Sequence, residues 1–117
     1  MFSIDRNTIK INDKSVSFKY PIIDTVEIDD LLILLLGVHP RITDFENVYA
    51  INQKCEIIWQ VNGINYSGEE RNSIINMIGK NGRLFVIDDA RDWYEVSLVD
   101  GSVEKRNPKE LRRNHNK

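Results

Sequence analysis

Apolar and polar residues alternate along most of this chain, and the alternation predicts a mainly β fold built as an antiparallel meander. The stretch "NTIKINDKSVSFKY" alternates on both sides of the polar residues 12–14, which predicts a hairpin. One face of this hairpin is apolar and carries Ile9, Ile11, Val16 and Phe18. A strand over residues 22–29 follows, with Val26 and Ile28 directed inward.

The run "LLILLL", residues 31–36, is apolar at every position. Asp30 is able to cap a helix here and Gly37 to end it, so a helix stays open as an alternative. The run is short for a helix, however, and its length favours a central strand covered on both faces. It is also far shorter than the roughly 20 residues of a membrane-spanning helix, so it predicts core.

Five more strands are predicted further along the chain. The first pair covers residues 48–52 and 56–61, with Ile57, Trp59 and Val61 on one face. The other three are "RLFVIDD", "DWYEVSLV" and "SVEKRN". Asp100–Gly101 joins the last two of these as a hairpin turn.

Two segments have helical signals. Ser67 and Glu70 have the spacing of a capping box. The apolar residues that follow, Ile74, Ile75, Met77 and Ile78, form a stripe that predicts an amphipathic helix from about 68 to 79. Asn107–Pro108 predicts the start of a short C-terminal helix.

The segments "YAINQKCEIIW" and "YEVSLVDGSVEK" share a pattern at an offset of about 45 residues. Tyr49 corresponds to Tyr94, and Ile57 corresponds to Val103. Each copy follows an apolar strand. A period of 40 to 50 residues with several strands in each unit is typical of propeller blades.

The first copy resembles the outer hairpin of a quinoprotein-type β-propeller blade. The matching residues are Tyr49, Ala50, Ile51, Ile57, Ile58 and Trp59, with Asn52 in place of an acidic residue and Cys55 in place of a glycine. The chain also resembles small bacterial proteins of uncharacterised function over about residues 22–106. The resemblance implies an architecture and no chemistry.

Two blade-like units cannot close a ring of four to eight blades. The expected fold is therefore one mainly β domain over residues 1–107, with the units folded as a compact sandwich or barrel; α+β is the alternative. The N-terminal hairpin is expected to cover an open sheet edge, and the helix a face. Residues 108–117 are predicted as a basic tail or short helix.

Charge is distributed unevenly along the sequence. Residues 1–100 hold 10 basic and 16 acidic side chains, net −6, whereas residues 101–117 hold 6 and 2, net +4. An acidic body repels phosphates, so nucleic acid is an unlikely partner. The single cysteine, Cys55, forms no internal disulfide and no export signal is visible, which together predict a cytoplasmic protein with no membrane segment.

Few residues have the type and spacing that catalysis or metal binding requires. Cys55, His39 and His115 do not have the spacing of a zinc site, and no nucleophile motif or phosphate loop is present, so we predict no catalytic residue, metal or cofactor. The segment "IDDARDWYE" places Asp88, Asp89 and Asp92 beside Trp93. These four residues are the candidate partner-binding site, with solvated loop charge as the plainer interpretation.

These features favour a small bacterial binding protein without enzymatic activity. By analogy it is of the immunity-inhibitor type, with a basic protein as partner. Two alternatives stay open: an enzyme whose active site is assembled from residues distant in sequence, and an oligomeric structural or accessory subunit. A monomer and a homodimer are both compatible with the sequence.

Overall fold

The structure is a computed structural model, and it describes residues 2–39, 46–62 and 73–107. Eleven strands lie in these residues, and they contain no helix. The strands are β1 Phe2–Asp5, β2 Thr8–Ile11, β3 Lys14–Ser17, β4 Ile22–Ile28, β5 Leu31–Leu36, β6 Val48–Ile51, β7 Ile57–Gln60, β8 Ile74–Lys80, β9 Arg83–Asp88, β10 Trp93–Val96 and β11 Val103–Arg106. The mainly β prediction is confirmed.

The strands form three antiparallel sheets, and within each sheet neighbours in sequence are neighbours in space. Sheet 1 contains β1 to β3, sheet 2 contains β4 to β7, and sheet 3 contains β8 to β11. The Cα trace extends over 43 × 38 × 20 Å. Since packed sheets lie about 10 Å apart, the shortest extent fits three stacked layers with sheet 2 in the middle.

Strand β5 is buried on both faces, as its sequence predicts. Leu32 and Leu34 belong to the apolar cluster between sheets 1 and 2. Ile33 and Leu35 belong to the cluster between sheets 2 and 3. Because successive side chains of a strand point to opposite faces, a run that is apolar at every position suits the central strand of a three-layer structure.

Alternate residues of sheets 2 and 3 fill the space between them. Sheet 2 contributes Ile28, Ile33, Leu35, Val48, Ala50, Trp59 and, just beyond β7, Val61; sheet 3 contributes Ile74, Met77, Leu84, Val86, Tyr94 and Val96. Trp59 is 5% exposed, which confirms its predicted position between two sheet faces. Its indole Nε1 donates to the carbonyl oxygen of Leu98 at 2.9 Å, so the polar atom of the ring is also satisfied.

Sheet 1 covers a face of sheet 2. The prediction that the N-terminal hairpin covers a sheet edge is therefore wrong. The predicted apolar face of the hairpin, with Ile9, Ile11 and Phe18, packs on the leucines of β5, and Val16 lies at its margin. The reason is area: β5 has a complete apolar face on that side, and burial of this face contributes about 25 cal/mol per Å². Strand β1 completes sheet 1 and was not predicted.

The predicted helix over residues 68–79 is wrong for the residues that the structure describes, because β8 occupies Ile74–Lys80. A β-bulge inserts Ile75 between the residues that pair with β9. The buried residues Ile74 and Met77 are therefore three positions apart, which imitates helical periodicity. Residues 68–72 and the predicted C-terminal helix lie outside the described residues. No helix among the described residues has the length and apolar character needed to span a membrane.

A second bulge changes the face of Ile57. The register shifts between Ala50 and Ile51, so that Trp59 pairs with Ala50 but Ile57 pairs with Ile51. Ile57 is 50% exposed and does not share the buried face of Trp59 and Val61, contrary to the sequence prediction. Strict alternation fails across a bulge because two residues face one partner there.

Sheets 2 and 3 are matched four-stranded meanders. Their first strands, β4 and β8, both have a bulge in an Ile-Ile pair, at Ile23 and Ile75. In both strands the next side chain accepts the following backbone N–H: Asp24 from Thr25 at 2.8 Å and Asn76 from Met77 at 2.9 Å. The offset is 52 residues for the first two strands and 45 to 46 for the last two, since the β5–β6 connection is longer than the β9–β10 connection.

Glycines allow sheets 2 and 3 to approach closely at both margins. A Cβ at Gly79 of β8 would lie 2.6 Å from Val26 Cγ1 of β4. At the other margin a Cβ at Gly101 would lie 2.7 Å from the Trp59 ring, and Asn62 forms a parallel bridge with Ser102. A side chain at either glycine would force these neighbouring groups of sheet 2 to shift.

Trp59→Ala is expected to lower the free energy of unfolding by about 3 to 5 kcal/mol, because it leaves a large cavity between the two sheets. The matched control is Ile57→Ala on the same strand. Its side chain is half exposed, so the expected loss is about 1 kcal/mol or less. Urea denaturation of the two variants measures both values, and equal losses would contradict the assigned packing of Trp59.

Candidate functional site

Two polar side chains are buried among the described residues, and both lie at one end of the stacked sheets. Asn47 is 1% exposed and Asp88 is 0% exposed. Asn47 precedes β6 and bonds to the backbone of Ile74, while the N–H of Asp89 donates to the carbonyl oxygen of Ser73 at 3.0 Å. The β5–β6 and β9–β10 connections therefore meet at the start of β8.

Asn47 connects sheet 2 to sheet 3 through its side-chain amide. Nδ2 donates to the carbonyl oxygens of Leu36 at 2.7 Å and Ile74 at 2.9 Å, and Oδ1 accepts the N–H of Ile74 at 3.0 Å. The two bonds to the backbone of Ile74 resemble the pair of hydrogen bonds that a residue of a neighbouring antiparallel strand would form. A buried amide with this set of partners stabilises the end of the domain, since unpaired groups would carry the full desolvation penalty.

Asp88 organises the acidic loop, residues 88–92. Its Oδ1 accepts the backbone N–H groups of Ala90 at 3.0 Å and Asp92 at 2.9 Å, and the Tyr94 hydroxyl donates to Oδ2 at 3.4 Å. The Arg91 N–H donates to the Asp88 carbonyl oxygen at 2.9 Å, and Arg91 has a φ of 71°. A side chain that captures backbone N–H groups further along the chain holds a tight loop in one conformation.

The structure separates the four predicted site residues into two groups. Asp88 is buried and supports the loop from within. Asp89 is exposed, and Asp92 is 42% exposed with its carboxylate 3.4 Å from the Lys105 ammonium group. Trp93 is half-buried on the outer face of sheet 3, because its neighbour Tyr94 points into the core. Three of the four predicted residues therefore reach the surface.

An ion-pair ladder of Arg83, Glu95, Arg106 and Glu104 crosses the same outer face. Arg83 donates to both carboxylate oxygens of Glu95, from Nε at 2.9 Å and from Nη2 at 2.7 Å. Arg106 donates from Nε to Glu95 Oε1 at 3.1 Å, and its Nη1 lies 2.7 Å from Glu104 Oε1. The Arg83 guanidinium also lies 5.1 Å from the centre of the Phe85 ring.

Hydrogen bonding in the ladder shifts the ionisation of its members. The hydrogen bonds from Arg83, with a smaller contribution from Arg106, hold the pKa of Glu95 below its usual value, against a partial burial that raises it. The same contact raises the pKa of Arg83. Both groups therefore stay charged in the folded protein. A charge-assisted pair of this kind stabilises the folded state.

The other residues considered for chemistry do not form a site. Cys55 is buried at the β6–β7 turn with a φ of 59°, and His39 is exposed. Within the parts of the chain that the structure describes, no three His, Cys, Asp or Glu side chains are grouped to hold a metal ion. His115 lies outside those parts.

Comparison with known proteins identifies the family but no activity. The family model for domain of unknown function DUF7957 matches residues 1–107, and so includes all three sheets. The chain belongs to the DUF7957 family. No curated protein and no solved structure matches it. The resemblance to a propeller blade stays a prediction.

Asn47 is the residue of this DUF7957 domain that sequence reasoning missed. It lies in residues 47–50, "NVYA", immediately before a strand, where an asparagine is typical of an ordinary loop. Its partner Ile74 is 27 residues away, so no local spacing reveals the contact. Asp88 was predicted as a site residue because of its charge. Its burial depends on the alternation of side chains along β9, which directs Leu84, Val86 and Asp88 inward.

Asn47→Ala is expected to lower the free energy of unfolding by roughly 2 to 4 kcal/mol, because three buried backbone groups lose their partner. Asn76→Ala is the matched control, since Asn76 is exposed and, within the described part of the chain, its side chain bonds to its neighbour's N–H alone. Its effect should stay within about 0.5 kcal/mol. Denaturation curves for both variants provide the measurement, and a negligible loss for Asn47→Ala would rule out its role as a connector.

Glu95→Gln is expected to reduce stability at neutral pH by roughly 1 kcal/mol, a value discounted for the partial exposure of the pair. Because the folded-state pKa of Glu95 is lowered, its contribution is complete above the unfolded-state value of about 4.3. That contribution is lost as the pH falls through the folded-state value. The gap between wild type and variant should therefore shrink on acidification.

Unfolding free energies measured across this pH range test the expectation. Glu27→Gln is the control, because Glu27 is exposed and has no ion pair among the described residues. A gap between wild type and Glu95→Gln that stays constant with pH would show that the loss does not arise from the carboxylate's charge.

Proposed function

We propose that this DUF7957 domain is a non-enzymatic binding protein that docks a basic protein partner through the acidic loop and Trp93. An inhibitor of the immunity type is the form of this proposal that we favour. The observation that carries it is the buried carboxylate of Asp88, which fixes the loop while Asp89 and Asp92 stay accessible. A loop held in one conformation before binding loses less entropy when the partner arrives.

Charge supports the same proposal. The first 100 residues carry a net charge of −6, so a basic surface is attracted from a distance. Asp89 and Asp92 lie at the end of sheet 3, next to a half-buried tryptophan. An aromatic anchor beside charged residues is a common composition for an interface, with the ring contributing affinity and the charges contributing association rate.

The geometry beside the loop favours a partner surface over an enclosed substrate site. The depression along β10 and β11 has a volume of about 390 Å³ and is open to solvent. Its charged side chains, Glu95, Glu104 and Arg106, are already paired with one another or with Arg83. Groups committed to such a ladder hold the sheet surface in place, and a rigid face of this kind suits protein docking.

The proposal is tested with the purified products of the genes adjacent to the one that encodes this chain. At least one is expected to bind the immobilised wild-type protein in surface plasmon resonance. The double variant Asp89→Asn with Asp92→Asn should slow association roughly tenfold at low salt and much less at physiological salt. Trp93→Ala should instead mainly raise the dissociation rate.

The matched control is Asp5→Asn with Asp13→Asn, two exposed residues of sheet 1. This control changes the net charge equally but on the opposite side of the stacked sheets. It should leave the association rate within about twofold of wild type. Equal effects of the two double variants, or no binding to any of the adjacent gene products, would contradict the proposal.

A further inference from the structure

Three Asx-Gly pairs occur in the chain: Asn62–Gly63, Asn81–Gly82 and Asp100–Gly101. In such pairs the glycine nitrogen can attack the preceding side-chain carbonyl carbon, because glycine has no Cβ to hinder the approach. The sequence alone does not rank them. The structure does so through the hydrogen bonds that hold the three side chains and, for Gly82 and Gly101, the glycine nitrogen.

Asp100–Gly101 is held firmly. Asp100 Oδ1 accepts the N–H of Ser102 at 3.0 Å and its hydroxyl at 2.7 Å. The N–H of Gly101, which would be the nucleophile, donates to the carbonyl oxygen of Ser97 at 2.9 Å. Gly101 also packs against the Trp59 ring, so this turn has no space for the rearrangement that ring closure needs.

The Asn62 side chain is restrained at Nδ2, the nitrogen that deamidation would release as ammonia. Its Nδ2 donates to the carbonyl oxygens of Gln60 and Asp100, both at 3.0 Å. Both bonds hold the nitrogen that must leave, so they restrain the side chain against ring closure. The bond to Asp100 also joins sheet 2 to sheet 3, so breaking it disturbs the margin of the domain.

Asn81–Gly82 is held by neither kind of contact. Both residues are exposed at the turn between β8 and β9. In the described part of the chain, the Asn81 side chain and the Gly82 N–H make no hydrogen bond, and a Cβ at Gly82 would meet nothing within 4 Å. We propose that Asn81 is the site at which this folded protein undergoes spontaneous deamidation.

The reaction needs only water and base. The Gly82 nitrogen loses its proton to base and forms a bond to the Asn81 Cγ. The Cγ–Nδ2 bond then breaks, and Nδ2 takes up a proton from the conjugate acid of that base and leaves as ammonia. Water then opens the resulting succinimide at either carbonyl carbon. The products are aspartate, or isoaspartate in which the main chain runs through the former side chain.

The turn slows this reaction without preventing it. Asn81 has a φ of 54° and Gly82 a φ of 74°, the pattern of a two-residue hairpin turn. The backbone must rotate out of this conformation before the ring closes. Opening at an exposed hairpin end requires little local unfolding. The isoaspartate product lengthens the turn by one atom and is incompatible with the Lys80–Arg83 register.

The test is incubation of the folded wild-type protein in mildly alkaline buffer, with peptide mapping by mass spectrometry over time. Conversion at Asn81 should be about 5 to 30 times faster than at Asn62, because two hydrogen bonds together contribute a factor of that size. In urea both sites should convert faster and at similar rates. Asn81→Gln should abolish the fast conversion and leave the slow conversion at Asn62.

Each other outcome decides against the proposal. If Asn62 converts as fast as Asn81 in the folded protein, the hydrogen bonds of Asn62 do not protect it. If Asn81 converts only in urea, the hairpin turn does not open in the folded state. Neither result bears on partner binding, since the β8–β9 turn is not part of the acidic loop.

Discussion

The whole architecture depends on strand β5, which must bury apolar side chains on both of its faces. A strand of six consecutive aliphatic residues cannot lie at the surface of a domain without exposing half of them. Sheet 3 covers one face, through Ile33 and Leu35, and sheet 1 covers the other, through Leu32 and Leu34. Three layers are the result, and the short N-terminal strands find their place because one face of sheet 2 would otherwise be exposed.

The sequence revealed this constraint because it is local. The β5 run, the alternating hairpin of Ile9 and Phe18, and the buried Trp59 all follow from side-chain periodicity, and the structure confirms them. Two of the errors occur at bulges. One extra residue at Ile75 and one near Ile58 shift the period by one position. Such a shift makes a strand resemble a helix in the first case and exposes an isoleucine in the second.

The candidate site was predictable only in part, for a related reason. The charge of the acidic loop is visible in the sequence. Which of its carboxylates is buried and which is exposed depends on the direction in which each side chain of the strand points. Asp88 is the last residue of β9 and points inward, so it binds the loop's own backbone, whereas Asp89 is free of that constraint and is exposed. The contact of Asn47 with Ile74 joins two sheets and has no local signal at all.

Stacking also separates the surfaces of the protein. Sheet 1 and the outer face of sheet 3 lie on opposite sides of sheet 2, so residues on one do not contact residues on the other. Changes at sites this far apart are expected to act additively on stability. A partner bound at the acidic loop would therefore depend on Asp88, which fixes the loop conformation, and on the Glu95 ladder, which holds the outer face of sheet 3 in place. Sheet 1 would influence the partner only through net charge.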